Sequence, residues 1–460
     1  MNFNHAALYP LSESQKKIWY AQQLDPSNSF FNIADIIELS SDVHVDFLRQ
    51  AVGRVLDECD ILKARFTSND DTIFFHIDRQ RSGELSIVEF DETLDDASVA
   101  RFFDSQARIP MDLGSGPLYF FMLAKKKNGR SYFFQKYHHI VADGACFPII
   151  TRRLFEIYNC LVDGRQVREN RFGSYLQYIE REAEYQSSKR RETDQSFWSE
   201  KVSSNAGDSW SWVADNASGA SLSLVSRALS AATRHMLFVA AEKLNSNPSM
   251  VFIAAAALFH GRIARTNELN ANVIFSGRGA AERDTPGMMS RILPVSVDIY
   301  RDSSFAEAIE IFSMDFRASL RHSRYQGIEL ERALHAGKDF QSSPTINFMT
   351  LDYGDAPFVS ARCPAVGPIR GFTINVYDRV NLEEMTVEFA ADSRFGDQSF
   401  LRKLLARFET FLREVLTHPD QAIGSIELLA EDERRQIVED WNATSHAIPD
   451  AVLPELFEAQ

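Results

Sequence analysis

The sequence predicts an α/β protein built as two lobes of similar size, and three observations carry that expectation. At 460 residues the chain is longer than one ordinary hydrophobic core can organise. Segments with a helical apolar period alternate with short β-branched and aromatic runs along its length. The same kinds of element also occur in two blocks, which suggests a structural duplication although no short sequence repeat is visible.

In the first block, "LSESQKKIWYAQQL" reads as a helix with Ser12 as N-cap and Ile18, Trp19 and Leu24 among its apolar positions. "DVHVDFLRQAVGRVLDECDIL" has a helical period through Phe47, Ala51, Val55 and Leu56, and "TIFFHI" and "GELSIVEF" follow as strands. After a helix at "ASVARFFDSQA", the aromatic segments "PLYFFMLAKK" and "RSYFFQKYHHI" fit neighbouring strands of one buried sheet. "CFPIITRRLFEIYNCLV" is helical, with Pro148 tolerated in its first turn. A polar, mostly helical bridge and a Ser/Asn/Gly-rich stretch near 203–223 then mark the boundary between blocks.

The second block repeats the pattern. "SLSLVSRAL" is a strand, "AATRHMLFVAAEKLN" and "PSMVFIAAAALFHGRIAR" are helices, and "NANVIFSGR" and "ILPVSVDIY" are strands followed by a further helix. "SPTINFMTLDYG", "FTINVYD" and "MTVEFAAD" are strands. "QSFLRKLLARFETFLREVLTH" is an amphipathic helix with Leu401, Leu404, Leu405, Phe408, Leu412 and Leu416 on its apolar face.

Composition narrows the class of function. Lys and Arg number 49 against 64 Asp and Glu, a formal charge of -15, and the basic runs "AKKKNGR" and "SSKRRE" read as solvated turns, so no nucleic-acid partner is expected. The four cysteines are scattered with no CxxC pair, which fits a reducing compartment and argues against disulfides or structural zinc. No signal peptide is visible, and the longest apolar run, "MVFIAAAALF", is about half what a membrane span needs. The expectation is a soluble, cytoplasmic, monomeric protein with no membrane partner.

The chemistry concentrates in "YHHIVADGAC", Tyr137 to Cys146. Adjacent residues of a strand point to opposite faces, so His138 and His139 are poorly placed to grip one metal ion, and no metal site is expected. Two readings stay open: a pair of structural histidines, or one inward histidine and one at the strand end, followed by an acidic turn, serving as a base near neutral pH.

"HHIVADG" matches the HHxxxDG motif of the condensation domains of nonribosomal peptide synthetases, members of the chloramphenicol-acetyltransferase-like superfamily. Other segments resemble that family in its order: "YPLSESQKKIWYAQQLDPSNSFFNI" with Ser14, Gln15 and Trp19 in register, "DILKARF", "FGSYLQYIERE", "FSGRGAAERDTPGMMSRILPV", "HSRYQGIEL" and "SPTINFMTLDYG". The resemblance covers about residues 8 to 425. From Leu428 on, the chain resembles the linker after a condensation domain and the first residues of an adenylation domain.

The resemblance implies two chloramphenicol-acetyltransferase-like lobes forming a V-shaped pseudo-dimer with a tunnel between them: residues 1–180 and 181–425, with 426–460 as linker and start of an adenylation domain. It implies an amide-forming acyltransferase in which the amine of an aminoacyl group on an acceptor carrier protein attacks a donor thioester. His139 and Gly144 are the expected catalytic residues. His139 would take the amine proton or hold the zwitterionic intermediate, and the Gly144 N–H would face the oxyanion. His138 and Asp143 would hold the loop. Asp143 should pair with the basic residue of the "LRTxF" motif, here Lys63 instead of arginine, with Arg65 as competitor.

Three tunnel residues are implied. Arg291 stands where asparagine is usual, and either places a cation near the tunnel or lies on the surface. Asn347 lies near the tunnel or is a strand asparagine satisfied by backbone, and Ser276 belongs to the same region. Direct aminolysis needs no acyl-enzyme, so Cys146 is read as a small buried cysteine instead of a nucleophile. "SGRGAA" has no Walker spacing and reads as a loop.

No cofactor is expected to be bound by the domain, because the thioester itself, on carrier-protein phosphopantetheine or on coenzyme A, supplies the energy. The implied partners are donor and acceptor carrier proteins, a downstream adenylation domain and acyl-CoA. The short stretch before the first motif favours a starter subtype taking a fatty or aryl acyl donor. An elongation domain receiving a peptide in trans and a stand-alone acyltransferase are the alternatives.

Overall fold

The computed structural model describes residues 7–445 apart from 41–42, 70–71, 79–83, 128, 205–221, 326–329, 331–342, 368–370 and 393–394, together with 452–458. The first half runs β1 (Tyr9–Pro10), α1 (Glu13–Leu24), β2 (Asn32–Leu39), α2 (Val45–Glu58), β3 (Ala64–Asn69), β4 (Thr72–Ile77), β5 (Leu85–Phe90), α3 (Asp96–Ala107), β6 (Tyr119–Lys126), β7 (Ser131–His138), α4 (Cys146–Val162), α5 (Tyr175–Gln186) and α6 (Lys189–Ser204). The second half runs β8 (Leu222–Ala228), α7 (Ala231–Lys243), α8 (Pro248–Ala264), β9 (Glu268–Phe275), β10 (Arg291–Asp298), α9 (Phe305–Arg321), β11 (Thr345–Leu351), β12 (Phe358–Val366), β13 (Phe372–Arg379), β14 (Glu384–Asp392), α10 (Gln398–Thr417) and α11 (Glu431–Val438).

The sheets are β1-β4-β3, the five-stranded β12-β2-β7-β6-β5 and the six-stranded β10-β9-β11-β13-β14-β8. Every residue of β7 is buried because its sheet is covered on both faces. Phe133 lies in one core with its ring 6.0 Å from that of Phe155 in α4, while its neighbour Phe134 lies in another, stacked on Phe103 of α3 at 5.5 Å. In the second half, α8 and α10 cover the six-stranded sheet through Phe252, Phe259, Phe408 and Phe411. All six expected apolar positions of α10 are buried.

Local signals explain the element starts. Ser12 caps α1 in a complete capping box, its Oγ accepting from the Gln15 N–H while Gln15 Oε1 accepts from the Ser12 N–H. Pro148 is the third residue of α4, in the first turn where a missing N–H costs little.

The blocks expected on either side of residue 180 share structure, so the second is not self-contained. β12 pairs antiparallel with β2 of the first sheet. Met288, Met289, Leu351, Tyr353 and Tyr377 belong to the first core, while Trp198 of α6 packs on Leu293. Most of the Ser/Asn/Gly-rich stretch lies outside the described residues. In the tail, α11 is tied to α10 by the Arg407–Glu433 ion pair at 2.5 Å, and of the stretch read as linker and start of an adenylation domain, residues 446–451 and 459–460 lie outside the described residues. Among the described residues no helix is long and apolar enough to cross a membrane.

Phe133, fully buried against α4, is expected to lose about 3–5 kcal/mol of stability as Phe133→Ala. Leu24→Ala, at the exposed end of α1, should stay within about 0.5 kcal/mol. Urea unfolding of the two variants measures the contrast.

Candidate active site

The two histidines divide where β7 ends. His138 is the last strand residue, with its N–H donating to the Leu118 carbonyl at 2.9 Å. Its Nδ1 accepts the Ile140 N–H at 3.2 Å, so the proton sits on Nε2 and is donated to Gln22 Oε1 at 3.1 Å. Burial first, and then the neighbouring His139, push its pKa down to about 3. Both ring nitrogens are therefore committed, and His138 is a neutral structural group.

His139 begins the turn, its N–H held by the Phe31 carbonyl at 2.7 Å, and its side chain is half-buried. Its buried Nδ1 makes no hydrogen bond of good geometry. Burial lowers its pKa below the ordinary 6.5, opposed by the Asp143 charge and by the carbonyls of His139 itself and Ala142. The imidazole is thus neutral near pH 7. Among the described residues no three His, Cys, Asp or Glu side chains are grouped to hold a metal ion.

The loop after His139 is supported from α1 and approached from the second sheet. Gln15 Nε2 donates to the Ile140 carbonyl at 3.0 Å, and Ser14 Oγ to the Ser290 carbonyl at 3.4 Å. A Cβ at Gly144 would lie 2.7 Å from Met349 Sδ of β11, so only glycine allows this contact between sheets without displacement.

Asp143 is fully buried and joins the two halves. Its Oδ2 accepts from Arg278 Nη1 at 2.7 Å and from the Met289 and Ser290 N–H groups at 3.0 and 2.9 Å. Its Oδ1 accepts the Ala145 N–H at 3.2 Å and the Cys146 thiol at 3.5 Å. Arg278 is buried too, donating further to the carbonyls of Thr285 at 3.1 Å, Ser276 at 3.2 Å and Gly287 at 2.9 Å. Gly277 makes this turn possible: its φ is +66°, and a Cβ there would meet the Met289 carbonyl oxygen.

The structure corrects the expected partner of Asp143. Lys63 Nζ donates to the Asp57 carbonyl at 2.9 Å and lies 3.4 Å from Asp60. Arg65 donates to the Ala64 carbonyl at 2.7 Å and lies 3.9 Å from Asp78. Both are spent locally, whereas Arg278 reaches the loop from the other half. Arg278 was present in "FSGRGAAER", where its flanking glycines mark a tight turn able to aim a guanidinium inward.

The remaining expected residues fall in distinct places. Arg291 is buried instead of superficial, held by Glu182 at 2.9 Å, the Ser323 carbonyl at 3.0 Å and Tyr178 at 3.4 Å. Asn347 joins a row of side chains instead of backbone, donating to Asn375 at 3.3 Å, which donates to Glu388 at 3.0 Å. Ser276 orients Arg278 through its carbonyl. Cys146 is fully buried, and burial together with the Asp143 charge pushes its thiol up to about 12, so it carries no thiolate at neutral pH.

These contacts separate the two basic positions experimentally. Arg278→Met leaves the Asp143 carboxylate buried without its counter-charge and should cost about 3–5 kcal/mol, read by urea unfolding. Lys63→Met, remote from Asp143, should cost no more than about 1–1.5 kcal/mol in the same measurement.

A family model described as "Condensation domain" matches residues 5–438. The chain is 29% identical over 462 residues to the dimodular nonribosomal peptide synthase of Bacillus subtilis (strain 168), covering 98% of this chain and 19% of that protein. It is 26% identical over 462 residues to enterobactin synthase component F of Escherichia coli (strain K12), covering 98% of this chain and 36% of that protein. The chain therefore spans well under two thirds of these relatives. Among solved structures, the first condensation domain of the CDA synthetase superposes with a TM-score of 0.83 at 26% identity, over 93% of this chain and 100% of that one. A variant of the starter condensation domain of rhizomide synthetase gives 0.80 at 26% identity, over 92% and 98%. With the family model spanning nearly the whole chain and the mixed α/β fold in agreement, the chain belongs to the condensation-domain family of nonribosomal peptide synthetases.

Proposed function

We propose that this chain joins an acyl thioester donor to the amine of an aminoacyl group on an acceptor carrier protein, as an N-acylation that starts a peptide chain. The observation that carries the reading is His139, a neutral, half-buried imidazole on a loop whose neighbours His138 and Asp143 are fully bonded. The acceptor nitrogen attacks the thioester carbonyl, forming the C–N bond. The C–S bond then breaks, and the amine proton leaves through His139 to the departing thiolate. The Gly144 N–H is assigned to the developing oxyanion, and the region of Ser276, Arg291 and Asn347 to the walls of the substrate tunnel.

Positioning supplies most of the acceleration. Holding both arms together makes the step effectively intramolecular, worth up to about 7–11 kcal/mol in favourable systems. Proton transfer by His139 adds about 10² to 10⁴-fold. The starter reading draws support from the rhizomide neighbour, whose structure holds C8-CoA. The relatives are longer synthetases, which supports donor and acceptor carrier proteins and an adjoining adenylation domain as partners.

A panel of fatty, aryl and peptidyl donors, on coenzyme A and on carrier protein, tests the reading when mixed with aminoacyl-loaded acceptor carriers and read by mass spectrometry. An N-acyl aminoacyl product is expected; a peptidyl donor as the sole substrate would move the chain to elongation, and no amide from any pair would sink the proposal. His139→Ala should lower kcat by about 10² to 10⁴-fold with the fold retained. In an NMR titration the His139 imidazole should protonate with a midpoint below 6.5, so that it is neutral across the range where the acceptor amine loses its proton.

A further inference from the structure

β12 belongs by sequence to the second half, yet it pairs with β2 and ends against His139. Its register with β2 jumps from Arg362, opposite Ile36, to Ala365, opposite Ala34, leaving Cys363 and Pro364 as a bulge across from Asp35. Asp35 is fully buried, and its Oδ2 accepts from the Tyr353 hydroxyl at 2.9 Å and Gln135 Nε2 at 3.2 Å. Its Oδ1 accepts the Cys363 thiol at 3.5 Å. Gln135 in turn accepts the Tyr137 hydroxyl at 2.8 Å, two residues before His139.

Beyond the bulge, Gly367 has a φ of +86°. A Cβ there would stand 2.8 Å from His139 Cδ2 and 3.4 Å from both His139 Nε2 and Ile33 Cγ2. The glycine backbone therefore forms the wall along the Cδ2–Nε2 edge of the imidazole, where any larger residue would displace the ring.

We propose that β12 is a positioning element for His139: Asp35 clamps the bulge of the strand, and Gly367 sets the orientation of the imidazole edge by backbone contact alone. A loose clamp or a side chain at Gly367 turns the ring away from the reacting amine while leaving the carrier-binding surfaces intact. The catalytic half of this inference rests on the amide-forming reading; the orientation of the ring does not.

The test compares wild type, Gly367→Ala and Tyr353→Phe, using the donor and acceptor pair found active and an NMR titration of the His139 imidazole assigned with His139→Ala. Gly367→Ala is expected to lower kcat by about 100-fold, with KM changed by less than about threefold and with a shifted His139 titration. Tyr353→Phe keeps the buried ring and removes one clamp donor, and is expected to move kcat and the titration in the same direction by a smaller amount. Folded variants with wild-type kcat and an unmoved His139 titration overturn the proposal, as does a loss confined to KM. Should Gly367→Ala fail to fold, Tyr353→Phe decides by the same two readouts. If wild type forms no amide, the functional reading fails, and the titration alone still decides the positioning claim.

Discussion

The buried contact between Asp143 and Arg278 is the constraint on which the site depends. Two opposite charges have been removed from water, a cost that a bare ion pair in a protein interior often does not recover. Here the carboxylate receives five donors, from Arg278, Met289, Ser290, Ala145 and Cys146, and the guanidinium finds three carbonyls besides. Every bond from Arg278, Met289 and Ser290 comes from the second half of the chain, whereas Asp143 follows β7 of the first. The pair thus fixes how the loop bearing His139 sits against the second sheet, and the Gly144–Met349 contact lies directly beside it.

Within that loop, neighbouring residues of the same type acquire different roles from their surroundings. His138 is closed on both nitrogens by Ile140 and Gln22, so its burial produces a permanently neutral strut. His139 is also kept neutral by burial, but the Asp143 charge and the carbonyls of His139 and Ala142 oppose the shift. A general base needs an imidazole that is uncharged near neutral pH, which His139 supplies. Cys146 illustrates the converse: its sulfur is absorbed into contacts with the Asp143 and Gly287 backbone N–H groups and has no acidic thiol to offer.

Much of this was legible in the sequence where periodicity or a motif spoke clearly. The apolar stripe of α10, the capping signal at Ser12 and the end of β7 at the double histidine all follow local rules. β2 and β12 escaped, for physical reasons. "NIADIIEL" carries the buried Asn32 and Asp35 on a nearly fully covered strand, so it shows no alternation, and "FVSARCPAV" holds a proline that marks an edge or bulge. The expected Asp143 partner, Lys63 with Arg65 as competitor, rests on the resemblance to the "LRTxF" motif, whereas Arg278 lies 135 positions away and is brought in only by the folded second half. Gly367 gave no sequence signal at all, since its role is to leave space beside a ring that the fold alone brings close.

A double-mutant cycle on Asp143→Asn and Arg278→Met, read in urea stability, tests the clasp between the halves most directly. The clasp predicts strong coupling of at least about 1.5 kcal/mol, with the second substitution costing little once the first is made. Additivity within about 0.5 kcal/mol would contradict it, because the two residues would then be stabilising the protein independently.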